Sequence, residues 1–125
     1  MKKIEIFAPE DIEFDLSALK LESYYMPGDI PTEKIIKLLA LEQKYKNIKN
    51  DDDPEEIINQ MKKQACMFFE DNHTKEEMDK LKNKLGFSSL MQVIAGIYET
   101  MAQSGEDIKN LRNRAKKKAR EASQK

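Results

Sequence analysis

Apolar residues alternate in short runs up to residue 25 and recur at helical spacing after residue 32. This change of period most constrains what the chain can fold into, because the two spacings bury one face of a strand or one stripe of a helix. The change falls on Tyr25-Met26-Pro27-Gly28-Asp29-Ile30-Pro31. Two prolines and a glycine so close together end regular structure and make a loop.

Before that loop, Ile12, Phe14 and Leu16 alternate with Glu13 and Asp15, the pattern of a strand with one buried face. Ile4 and Ile6 form a shorter run of the same kind, and Ala8-Pro9-Glu10-Asp11 between the two runs suits a hairpin turn. Leu19, Leu21, Ser23 and Tyr25 extend the alternation into a third run. The strands therefore occupy about residues 3–26. Two or three short strands are not stable alone and must pack on helices.

The spacing predicts helices over about residues 32–47, 54–71, 75–85 and 89–103. Ile35, Ile36, Leu38, Leu39 and Tyr45 give the first a broad apolar face. The second has Asp53 as N-cap, Pro54 at its first position and Glu56 at capping-box spacing. Its inner face is Ile57, Ile58, Met61, Ala65, Phe68 and Phe69. Thr74 and Glu77 form a further capping box for the third, whose apolar side is Met78, Leu81 and Leu85. Gly86 follows where a left-handed glycine would close it. Leu90, Met91, Val93, Ile94, Ile97, Tyr98 and Met101 make the fourth the most apolar. The expected fold is mainly α: a small N-terminal β-hairpin or meander packed on a four- to five-helix domain, α+β but helix-dominated. Residues 1–105 read as one domain, and 106–125 as a basic C-terminal helix or tail that frays at its end.

Charge is unevenly distributed. Net charge is −1 over 125 residues, but residues 106–125 carry +5 and residues 1–105 carry −6. The basic run is Arg112, Arg114, Lys116, Lys117, Lys118 and Arg120, candidate contacts for nucleic acid or another anionic partner. No aromatic residue interrupts the run to stack on bases, and a solvated chain end accounts for it equally well. A tail folding against the acidic body is a further reading of the same asymmetry.

Other candidates for chemistry are few. His73, the single histidine, lies in Glu70-Asp71-Asn72-His73-Thr74. It has no second His or Cys to make a metal site, so it reads as a solvent-exposed loop residue. Cys66 is the only cysteine, flanked by Ala65 and Met67, and reads as a small buried hydrophobe rather than a nucleophile. One cysteine also makes no internal disulfide, consistent with a reducing, cytoplasmic location. Asp51-Asp52-Asp53 with Glu55-Glu56 lacks the alternation and glycine of a calcium loop, and reads as an acidic connector that caps a helix. Seven methionines suggest core packing, with Met26 and Met67 less well explained and one of them a possible partner contact. There is no Gly-rich phosphate loop, no G-x-S-x-G and no H-E-x-x-H. An enzyme is not expected, and no catalytic residue, cofactor or metal is assigned. No apolar run is long enough to span a membrane, and none follows Lys2-Lys3 to make a signal peptide.

The order of segments is informative as a whole. Ile12-Glu13-Phe14-Asp15-Leu16 leads to Met26-Pro27-Gly28-Asp29-Ile30-Pro31, then a helix headed Thr32-Glu33-Lys34-Ile35, an acidic connector at Asp51 to Pro54, and the late apolar helix from Leu90 to Met101. Over roughly residues 10–105 this layout resembles the small tail assembly chaperones of long-tailed, siphovirus-type phages and prophages of Gram-positive bacteria. The resemblance implies a non-enzymatic protein that binds the tape measure protein and recruits tail tube subunits in the host cytoplasm. It also implies a protein absent from the finished particle. It transfers no site residue, because the family has no short motif to match. The first and fourth predicted helices carry more apolar positions than a thin helical layer buries, a surplus available to a client or to a second copy. The alternative is a small nucleic-acid-binding or regulatory protein acting through residues 112–120.

Overall fold

The computed structural model describes residues 1–6 and 8–103. Among the described residues the chain is mainly helical, with four helices and a small N-terminal two-stranded antiparallel sheet. The elements are β1 (Ile12–Phe14), β2 (Tyr24–Met26), α1 (Thr32–Lys46), α2 (Pro54–Met67), α3 (Lys75–Lys84) and α4 (87–103). Short 3-10 turns stand at Ser17–Leu19 and Glu70–Asn72. Residues 1–93 form one compact unit, and the described residues 94–103 belong to a second. The predicted fifth helix and its basic residues lie outside the described residues.

The sheet differs from the expected hairpin. β1 pairs with β2 in the register Ile12↔Met26, Glu13↔Tyr25, Phe14↔Tyr24. Ile4 and Ile6 are not in a strand and are exposed. The reason lies at Gly28. Continued by two residues, the register sets Glu10 opposite Gly28, and a Cβ on Gly28 would overlap the Glu10 carbonyl. Pro9 and Glu10 therefore run on beside the Pro27–Gly28 loop, and Ala8–Asp11 cannot turn the chain back. The third predicted run is also corrected. Leu16 O accepts from the N–H groups of Leu19 and Leu21, and Lys20 takes a left-handed φ of 60°. This turn resets the phase, so Tyr24 and Met26 are buried and Tyr25 is exposed, the reverse of the expected alternation.

Helix starts follow the capping residues closely. The Asp53 carboxylate accepts from Glu55 N at the head of α2 (3.0 Å). Thr74 and Glu77 form the reciprocal capping box of α3. α2 ends at Met67 rather than 71. Its last turn tightens, with Phe68 N and Phe69 N bonded to the carbonyls of Ala65 and Cys66. The Met67 carbonyl is taken by Lys34 Nζ at 2.7 Å, so a side chain from α1 closes this helix. Gly86 is not left-handed: its carbonyl accepts Leu90 N and so opens α4, and Ser89 Oγ bonds back to it. The core of the first unit is Met26, Leu38, Met61, Phe68, Phe69, Leu81 and Leu90, all essentially without exposure. Phe14 and Tyr24 meet Phe69 edge to face at 4.9 and 6.2 Å, which is how the sheet packs on the helices. In the second unit Ile94 and Ile97 are buried, and Thr100 Oγ1 donates to Gly96 O.

Candidate functional site

The most distinctive surface is the outer side of α1. This helix of 15 residues packs mainly on α2 and buries only Leu38 completely. Ile35, Leu41 and Tyr45 are half-buried. Ile36 and Leu39, three positions apart and hence neighbours on the helix surface, are 60% and 41% exposed. Ala40, one turn after Ile36, is exposed beside them and borders a groove of about 410 Å³ between α1 and α2. Its other lining residues are Lys37, Leu41, Gln60, Lys63 and Gln64. Lys34 sits on the same helix but turns inward. It is 17% exposed, and besides Met67 O it meets Glu70 at 3.0 Å and Asp71 at 3.7 Å. Apolar surplus on the fourth predicted helix is distributed differently: Leu90, Val93, Ile94 and Ile97 are buried, Met91, Tyr98 and Met101 half-buried, and Phe87 is exposed at the start of α4.

His73 is not the solvent-exposed loop residue expected. Its side chain is 5% exposed. Nε2 accepts the Tyr25 N–H at 2.8 Å and Nδ1 bonds Glu77 Oε2 at 3.1 Å. The ring lies against Tyr24 (4.5 Å between centroids) and stacks parallel to Tyr25. Asn72 Nδ2 donates to Tyr25 O, and Tyr24 Oη donates to Glu77 O. The Glu77 carboxyl is held down at about 2 by its bonds from Thr74 N, His73 and Thr74 Oγ1. Burial, and then the Glu77 charge, raise the Tyr24 hydroxyl above its ordinary value. Both ring nitrogens of His73 are occupied by the protein itself, so this cluster ties β2 to α3 and offers no free base. The i,i+4 spacing of His73 and Glu77 on a helix start was the available signal. Tyr25, the partner from a distant segment, had none.

The remaining candidates are placed as follows. Cys66 is fully buried, and burial pushes its thiol up to about 11. In the acidic connector, Asp52 accepts from Lys49 N and Asp53 caps α2. No cluster of three metal-ligating side chains occurs among the described residues. Met26 is buried and Met67 half-buried. A smaller cleft of about 280 Å³ lies between Phe14–Leu19 and the start of α4, bordered by Ser89 and Gln92. Arg112, Arg114, Lys116, Lys117, Lys118 and Arg120 lie outside the described residues.

No known protein family, curated protein or solved structure compared with this chain matches it. Among the described residues no helix is long and apolar enough to cross a membrane.

Proposed function

We propose that the protein is a non-enzymatic tail assembly chaperone of a long-tailed phage or prophage, which holds the tape measure protein, the tail tube protein or both during tail morphogenesis. The observation that carries this reading is the outer face of α1, where Ile36 and Leu39 stand in solvent on a helix with one fully buried residue. An exposed aliphatic stripe at helical spacing suits a client that presents an amphipathic helix. Weak contacts of this kind gain avidity when many copies coat one long client. The order of segments, which resembles that family, supports the same reading.

The test is co-expression of the chain with the tape measure and tail tube proteins of the same genome, followed by affinity capture with nuclease treatment. Retention through a high-salt wash is expected, because apolar contact resists screening. The double variant Ile36→Asp/Leu39→Asp should lose the client while keeping its far-UV spectrum and melting temperature, since both side chains are exposed. Failure of the wild type to retain either tail protein would sink the proposal. The strong charge contrast, +5 over residues 106–125 against −6 before them, favours one second reading, nucleic-acid binding through residues 112–120. That reading predicts capture of nucleic acid at low salt only, abolished by removing residues 112–125.

A further inference from the structure

We propose that the groove between α1 and α2 selects an amphipathic helix whose apolar stripe is flanked by carboxylates. The inference rests on the client-binding reading of α1 and names the chemistry of the client segment. The lining residues are Lys37, Ala40 and Leu41 from α1 and Gln60, Lys63 and Gln64 from α2. Each wall is one i, i+3, i+4 set, spanning about 6 Å of helix axis at 1.5 Å per residue. Ala40 and Leu41 supply the apolar surface, with Ile36 extending it by one turn along α1.

Charge identifies the occupant. The lining holds two lysines and no carboxylate, although residues 1–105 together carry −6. Lys34 and Lys46 spend their charge on Glu70, Asp71 and Glu42. Among the described residues, neither Lys37 nor Lys63 has an ion pair. One unpaired cation therefore stands on each wall of an otherwise neutral groove. Such charges set partner selection and orientation more than raw affinity, and they reject a basic helix as firmly as they accept an acidic one. Gln60 and Gln64 add amides able to bond either side-chain carboxylates or amides.

The test uses the full chain and two synthetic peptides of about 20 residues, long enough for an isolated helix. Both carry the same leucine stripe, flanked by Glu in one and by Lys in the other. Fluorescence anisotropy should show the Glu-flanked peptide binding about tenfold more tightly at low salt, with the preference shrinking at high salt. Lys37→Glu/Lys63→Glu should reverse the preference, and Ala40→Arg should weaken both peptides by filling the groove. Both sets of positions face solvent, and an unchanged melting temperature checks the fold. Equal binding of the two peptides, binding of neither, or a preference that survives Lys37→Glu/Lys63→Glu overturns the proposal; the last outcome assigns the selectivity to the basic run. Groove binding without capture of tail proteins would retain this inference and remove the tail-assembly reading. Tail-protein capture undiminished in Lys37→Glu/Lys63→Glu would do the opposite.

Discussion

Tyr25 stands opposite Glu13, yet its own N–H and C=O are bonded by His73 and Asn72, two side chains from the turn between α2 and α3. A strand edge left open invites pairing with another chain, and here two side chains stand in for a third strand. The arrangement fixes the imidazole tautomer. Nε2 accepts from Tyr25, so the proton resides on Nδ1 and is donated to Glu77. Long-range nitrogen–proton correlation spectra at neutral pH should show Nε2 as the unprotonated nitrogen; the reverse assignment would disprove the latch. His73→Ala leaves the Tyr25 N–H without its partner and should cost about 1–3 kcal/mol in urea unfolding. Gly28 is constrained by space rather than by φ, since no glycine among the described residues has positive φ. Gly28→Ala drives a methyl group into the Glu10 carbonyl, and the backbone on one side must give way. The expected loss is about 1–3 kcal/mol, seen as a lower melting temperature, whereas an open loop would tolerate the change.

At the scale of elements, Lys34 decides where α2 stops. Its ammonium bonds the Met67 carbonyl and meets Glu70 and Asp71, so one cation from α1 serves the negative end of a neighbouring helix. Lys34→Met keeps the aliphatic stem and removes the charge. It should destabilise the protein by about 1–3 kcal/mol and speed amide exchange at residues 68–72, while Lys46→Met, whose own side chain is 61% exposed, should change little. The starts of α2 and α3 were legible in the sequence because Asp53-Pro54 and Thr74-x-x-Glu77 act within one turn of chain. The end of α2 was not legible, because it depends on Lys34, 33 residues away. The strand pairing failed for a related reason. Alternation marked Ile12–Phe14 correctly, but the left-handed Lys20 reset the phase, and the packing of Gly28 on Glu10 excluded the local hairpin. Local signals also misplaced His73, since they carry no trace of Tyr25. For the candidate surface, the excess of apolar positions on the first helix was countable from sequence. That the excess falls on Ile36 and Leu39 depends on which side meets α2.

For the molecule as a whole, four groups with shifted pKa values among the described residues set how stability responds to pH: Glu77 and Asp15, the latter lowered by the Ser17 N–H, on the acid side, and Cys66 and Tyr24 on the alkaline side. Glu77 has its carboxyl lowered from 4.5 to about 2 by Thr74 and His73, so folding favours the ionised form. Its contribution is complete above pH 4.5 and is lost as pH falls towards 2. Cys66 is raised from 9.0 to about 11 by burial, against the opposing pull of Lys82 and Lys62, so folding favours the neutral thiol. That preference leaves stability unaffected below pH 9 and removes it as pH rises towards 11. Tyr24, raised from 10.0 by burial and by the Glu77 charge, steepens the same alkaline limb. The expected profile is therefore flat between these limits and falls at both ends for unrelated reasons. Urea midpoints measured across the range separate the two. Glu77→Gln should soften the acid limb, leaving the share due to Asp15, and leave the alkaline limb intact. Cys66→Ala should lower the whole curve through its small cavity but soften the fall between pH 9 and 11, leaving the share due to Tyr24. Native Cys66 should also resist thiol reagents at neutral pH and react once urea unfolds the chain, because a neutral thiol in the core is neither accessible nor nucleophilic. Rapid labelling of the native protein, or an alkaline slope identical in Cys66→Ala, would contradict the assignment of that limb to the buried thiol.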